Sequence, residues 1–249
     1  MWHSCNSVLM RSAFSALLIL LRSAPVRAQA IVVTGSVEVA PGPDGNRAAD
    51  ASNVVVWLTP LGPSPSPGQT AANSDQRPRL VQKNKSFDPH TLVVQKGASV
   101  DFPNRDPFFH NVFSLFEGKR FDLELYEAGT TRSVVFDKVG ISYIFCNIHP
   151  EMSAVVIALD TPYYALSNRA GQITIRNVSS GTYMLHVWQE GALPDVLNRF
   201  DRQITISAEV RSLGTIRLPR TPNLYAKHKN KYGRDYDTAV PANPVYPQP

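Results

Sequence analysis

The sequence predicts an all-β protein built of β-sandwiches. Short alternating or β-branched apolar runs fill the region from Ile31 to Arg220, turn-forming residues separate them at close intervals, and no long stretch there carries apolar residues at helical spacing. Alternation with period two gives each strand one apolar face, and many short strands cover such faces by stacking sheet on sheet.

In chain order, the first expected strand is Ile31–Val39, where apolar and small polar residues alternate around Gly35. Asn53–Thr59 follows with the run Val54-Val55-Val56-Trp57-Leu58. Thr91–Val94 and Ser99–Phe102 are separated by the turn signal at Gly97, and Asn111–Leu115 comes after the prolines Pro103 and Pro107. Ser133–Phe136, Ser142–Phe145 and Ala154–Leu159 each follow a glycine or proline, at Gly129, Gly140 and Pro150. Gln172–Ile175 and Tyr183–Val187 open behind Gly171 and Gly181, and Gln203–Ile206 and Gly214–Leu218 complete the set.

The ends read differently. Arg11 precedes an apolar run from Ala13 to Leu21, and Ala28-Gln29-Ala30 has the small-x-small form of a signal-peptidase site, so residues 1–30 are expected to be a cleaved signal peptide. Arg22 and Arg27 interrupt that run short of the roughly 20 apolar residues that span a bilayer, and no later segment comes closer. The expected location is periplasmic or secreted, with no membrane span after cleavage. Residues 61–78, with Pro63, Pro65, Pro67 and Pro78, read as an exposed connection, and 221–249, rich in Lys, Tyr, Asn and Pro, as a disordered tail.

The formal charge of +5 is no nucleic-acid signature. Three arginines leave with the signal and four basic residues lie in the tail, so residues 31–220 hold 18 basic and 18 acidic side chains.

Loss of the signal also removes Cys5 and leaves Cys146 alone, in a compartment where thiols normally pair or oxidise. An intermolecular disulfide, an inert buried thiol, a nucleophile and a metal-bound thiolate are the possible explanations. Around it stands Phe145-Cys146-Asn147-Ile148-His149-Pro150-Glu151-Met152, a Cys-x-x-His-x-x-Met sequence directly after an apolar strand. A thiolate at a strand end, an imidazole in the loop and a thioether at the start of the next strand can converge on one ion. His110, 36 residues earlier and at the start of another strand, can supply the fourth donor. Two imidazoles, one thiolate and a weak axial thioether form the trigonal environment of electron-transferring copper, whereas structural zinc usually takes paired cysteines and rarely Met. The metal ligands expected are therefore His110, Cys146, His149 and Met152. His90, His186 and His228 are expected to be structural or solvated, and Glu151 a surface charge.

The stretch Gly97–Leu159 resembles a cupredoxin of the plastocyanin and amicyanin group. Phe87-x-Pro89-x-x-Leu92-x-Val94-x-x-Gly97 is similar to the family's opening strands, and Val100-x-Phe102-x-Asn104-x-Asp106 before His110-Asn111-Val112 to the approach to its first histidine ligand. The chain departs from the family at Ser142 and Ile144, where aromatics are common. The resemblance implies a Greek-key sandwich over 79–160 holding one type 1 copper ion. It implies that Asn111 ties the His110 strand to the Cys146 loop while its neighbourhood donates a hydrogen bond to the thiolate. It also implies an apolar docking patch at Phe108, Phe109 and Pro150 for a redox protein partner.

Ser167-Asn168-Arg169-Ala170-Gly171-Gln172-Ile173-Thr174-Ile175, then Gly181-Thr182-Tyr183-Met184-Leu185, resembles the second half of carboxypeptidase regulatory-like, transthyretin-like domains. Val32-Val33-Thr34-Gly35-Ser36-Val37 and Val54-Val55-Val56-Trp57-Leu58 look like the first half. The expectation is a small sandwich split into 31–60 and 161–220, with the copper domain inserted; a tandem arrangement is the alternative. The function expected is exported electron transfer without enzymatic activity, the alternative being periplasmic copper handling or sensing. A binuclear copper site lacks its second thiolate, and multicopper oxidases need His-x-His sets that do not occur.

Overall fold

The computed structural model describes residues 1, 30–41, 50–62, 77–115, 117–221 and 228–236. The expected signal peptide and the proline-rich connection lie almost wholly outside the described residues. The strands are β1 (Ile31–Val39), β2 (Val55–Pro60), β3 (Val81–Lys83), β4 (Ser86–Asp88), β5 (Thr91–Gln95), β6 (Ser99–Pro103), β7 (His110–Ser114) and β8 (Phe121–Tyr126). They continue as β9 (Thr131–Val135), β10 (Gly140–Phe145), β11 (Ser153–Leu159), β12 (Tyr164–Leu166), β13 (Gln172–Val178), β14 (Gly181–Trp188), β15 (Arg202–Ile206) and β16 (Ser212–Leu218). The α-helix among the described residues is a single turn, Pro194–Leu197, and the fold is all-β.

Two layered units share the chain. In the first, a sheet ordered β13-β1-β16 faces one ordered β12-β2-β14-β15. Val33 and Val37 of β1, Val56 and Leu58 of β2, Ile173 and Ile175 of β13, and Leu185 and Val187 of β14 fill the space between them. In the second, a sheet ordered β5-β11-β10-β7-β8 is covered by the β6-β9 pair and the β3-β4 hairpin. Val100, Phe102, Phe136, Ile144 and Val156 form its core. β1 and β2 pair only with strands from β12 onward, and the strands from β3 to β11 pair among themselves.

Side-chain alternation on β11 explains how the units join. Ala154, Val156 and Ala158 point into the second unit's core, while Val155, Ile157 and Leu159 emerge on the opposite face. There they meet Val55 and Trp188, which leave the four-stranded sheet of the first unit on its outer face. A strand buried on both faces reads as a continuous apolar run, as Ala154–Leu159 does.

Several strands stand outside the expected set. β3 and β4 span three residues each, joined by Asn84 and Lys85, both at positive φ, the conformation of a tight hairpin turn. β8 is an edge strand whose Asp122 and Glu124 face solvent, and Glu124 sits at φ +53 where the pairing with β7 shifts register. Ser142, which stands where the resembling family has an aromatic, is buried, and its Oγ accepts the Lys119 amide at 2.9 Å. A larger side chain would occupy the place of the Gly118 turn, which packs directly on Ser142.

The tail expectation needs correction. Residues 222–227 and 237–249 lie outside the described residues, but 228–236 fold onto the second unit: the His228 ring lies 4.3 Å from that of Phe145, and Lys231 bonds Asp122 and Asn147. Polar composition predicts solvation only where no fixed partners stand nearby, and here acidic β8 and the Cys146 loop supply them.

Candidate metal centre

His110 opens β7, and Cys146 follows the last residue of β10; the two strands pair through Phe113 and Phe145. That pairing brings their ends together. The loop after Cys146 is closed by two backbone hydrogen bonds, from the Cys146 amide to the Met152 carbonyl at 3.2 Å and from the Met152 amide to the His149 carbonyl at 3.1 Å. His149 is thereby folded back over the sulfur. Its Nδ1 lies 3.6 Å from Sγ, and that of His110 lies 3.7 Å from it. One donor atom from each of the three residues falls within 4.8 Å of the others. Met152, fully buried, belongs to the same apolar cluster as Cys146.

The orientation of His110 is set from behind. Its Nε2 is 2.8 Å from Oδ2 of Asp106, so that nitrogen donates to the carboxylate and Nδ1 turns its lone pair toward the sulfur. Asp106 in turn accepts the Asn84 and Lys85 amides of the β3-β4 turn, at 2.6 and 3.0 Å. Burial pushes the Asp106 carboxyl up, but those amides and His110 outweigh it and hold it below the ordinary carboxylate value. Burial is also the largest influence on His110, keeping it neutral against the pull of Asp106.

His149 is driven down to about 4, first by burial and then by the neighbouring His110. The Cys146 thiol moves up through burial, opposed by the amides of Ile148, Asn111 and His149, which face the sulfur. Neutral imidazoles beside a thiol that resists ionisation are the reverse of a cysteine–histidine nucleophile pair, in which the base must charge the sulfur. The set instead matches what a soft cation needs: two free nitrogen lone pairs, a sulfur that ionises when a positive charge arrives, and amides waiting for the thiolate. Donors 3.6–3.7 Å apart suit a shared ion with bonds of about 2.0–2.3 Å.

Asn111 plays its part through the main chain. Its amide faces the sulfur, whereas its side chain does not reach the Cys146 loop: Nδ2 donates to Asp122 of β8 at 2.6 Å. Phe108 packs edge-on to the His110 ring at 5.2 Å and lies 5.5 Å from that of His149; it and Phe109 are partly buried, and Pro150 is exposed. Of the other histidines, His90 contacts Glu190 at 2.7 Å, and His186 contacts Asp201 at 2.9 Å and stacks on Trp57. The sequence places Asp106 in the approach to His110 without marking a role for it, although an aspartate four residues before a candidate ligand histidine is a usable signal. Lys231 and Tyr236 carry no local signal, and His228, expected to be structural or solvated, packs its ring on that of Phe145.

The fold and these side chains define an all-β protein with a largely buried thiol–imidazole cluster. No protein-family model matches the chain, and no curated protein sequence matches it. Its solved structural neighbours are copper cupredoxins at low coverage and TM-score. A purple cupredoxin from Nitrosopumilus maritimus is 22% identical, over 32% of this chain and 98% of that one, with a TM-score of 0.30. A reduced Cu(I) amicyanin variant is 22% identical over 41% of this chain and 97% of that one, at 0.32. A copper-containing nitrite reductase from Thermus scotoductus is 18% identical over 50% of this chain, which spans 28% of that protein, at 0.33.

Proposed function

We propose that the chain is an exported, non-enzymatic electron carrier that holds one type 1 copper ion through His110, Cys146, His149 and Met152. The observation that carries this reading is the convergence of His110 Nδ1, Cys146 Sγ and His149 Nδ1, with the far nitrogen of His110 already engaged by Asp106. Copper, when bound, would supply a one-electron couple. The residues supply the rest. Cys146 releases its proton on binding, and the amides of Ile148, Asn111 and His149 stabilise the sulfur's charge. The β3-β4 turn, Asp106 and the paired strand ends hold the donors in place, so little need move when an electron arrives. His149, with Phe108, Phe109 and Pro150, forms the edge through which a redox protein partner docks. The sandwich of 31–60 and 161–220 is read as a regulatory-like module carrying the copper unit as an insertion. Export rests on the leader sequence; among the described residues no helix is long and apolar enough to cross a membrane.

Optical and electron-spin spectra of the copper-loaded protein test the reading. Intense thiolate-to-copper charge transfer is expected, lost in Cys146→Ser; Met152→Leu should keep most of the binding and shift the potential, because the axial bond is weak. A colourless stoichiometric copper complex would overturn the carrier reading in favour of copper handling.

A further inference from the structure

The segment from His228 to Tyr236 lies on the loop that carries three of the four candidate ligands, and its contacts are specific. Its two ends meet, with Tyr236 Oη 3.2 Å from Nδ1 of His228. Between them Asn230 organises a tight turn: its side-chain oxygen accepts the Tyr232 and Arg234 amides, and Gly233 takes the positive φ the turn requires. The closed turn grips the loop at successive points. The His228 ring lies over Phe145, Tyr236 Oη donates to the Cys146 carbonyl at 2.5 Å, and the Lys231 amide donates to Oδ1 of Asn147 at 2.9 Å.

A second anchor fixes the turn to the protein body. Nζ of Lys231, only 13% exposed, reaches Asp122 at 2.8 Å and Glu124 at 3.0 Å. Asp122 is also the partner of the Asn111 side chain, whose backbone amide faces the Cys146 sulfur. Lys231 therefore closes a chain of contacts, Asn111 to Asp122 to Lys231 to Asn147, linking both sides of the sulfur. The loop itself offers little to hold it from outside, since Ile148, Pro150 and Glu151 are exposed.

We propose that Lys231 and Tyr236 are positioning residues of the metal centre, with 228–236 acting as a strap that fixes the Cys146–Met152 loop and leaves the Phe108–His149 face for a partner. This rests on the metal reading above, but the strap itself acts on the metal-free protein too, where it limits opening of the loop and hence access to the buried thiol.

The test uses the full chain carrying Lys231→Met, Lys231→Arg, Tyr236→Phe or the exposed control Arg234→Ala. Two rates are read: modification of Cys146 by a maleimide in metal-free protein, followed on the Cys146 peptide so that Cys5 does not contribute, and loss of Cu(I) to a chelator. Removing one hydrogen bond worth about 1 kcal/mol should speed each by about fivefold in Tyr236→Phe, and by more in Lys231→Met, with Lys231→Arg largely restored and the control unchanged. The charge-transfer band should shift in the same two variants. Tyr236→Phe removes a single hydroxyl, so a fold defect in Lys231→Met leaves the question open to an answer. Unchanged thiol reactivity in a folded Tyr236→Phe and Lys231→Met overturns the strap, whatever copper does. Faster thiol reactivity in a protein that binds no copper sustains the strap and overturns the metal reading alone.

Discussion

Asp106 Oδ2 and His110 Nε2 lie 2.8 Å apart, both side chains buried, and this pair fixes which imidazole nitrogen faces the Cys146 sulfur. Asp106→Asn keeps the volume and the acceptor oxygen but loses the charge. Copper affinity should fall about 10–100-fold, the range for carboxylates behind metal-bound histidines, with a shifted electron-spin spectrum. Isothermal titration of both forms checks it; equal affinity would mean that packing alone orients the ring.

Gly118 stands at φ +70, and a Cβ there would lie 2.5 Å from Ser142 Oγ and 2.7 Å from the Ile141 carbonyl oxygen. Backbone cannot yield as a flexible side chain can. Gly118→Ala should cost about 1–3 kcal/mol, read as a lower urea midpoint.

Trp188 is buried where the two sandwiches meet, among Val55, Val155 and Ile157. Trp188→Ala should destabilise the junction by about 3–5 kcal/mol. Calorimetry should then resolve two transitions where the parent shows one, the copper colour following the second unit. A single transition at the parental temperature would show that the units do not support each other.

His90 bridges the same units through Glu190, and the hydrogen bond to that carboxylate is the main reason its pKa is raised above the usual 6.5, against the opposing effect of burial. Because the folded state holds the proton more tightly than the unfolded one, the stabilisation is complete below about pH 6.5 and fades as pH climbs through the raised folded value. With the His90 side chain 40% exposed, solvent screening keeps it below about 1 kcal/mol. Thermal unfolding between pH 5.5 and 9 should show this slope in the parent and lose it in Glu190→Gln.

Strands marked by alternation or by a continuous apolar run lie close to where the sequence puts them: β1 spans the expected Ile31–Val39, and β11 begins one residue before Ala154. β8 alternates in sequence, Phe121-Asp122-Leu123-Glu124-Leu125, yet stands outside the expected strands, whereas β3 and β4 escape because three residues carry no period at all. The spacing of Cys146, His149 and Met152 was legible because one short loop holds all three, so that chain geometry alone limits their separation. His110 was legible as the partner only through its residue type and its place at a strand start.

What the sequence determined by itself is the chemistry available: a thiol, two imidazoles and a thioether, set at or near strand ends in an all-β chain. Tertiary structure decided how those groups are held. Asp106 reaches His110 because a hairpin turn pins its carboxylate, and Lys231 reaches Asn147, 84 residues away in the chain, because an acidic edge strand receives it. Contacts between residues so far apart obey no local period; they arise only when sheets bring distant segments within hydrogen-bonding range.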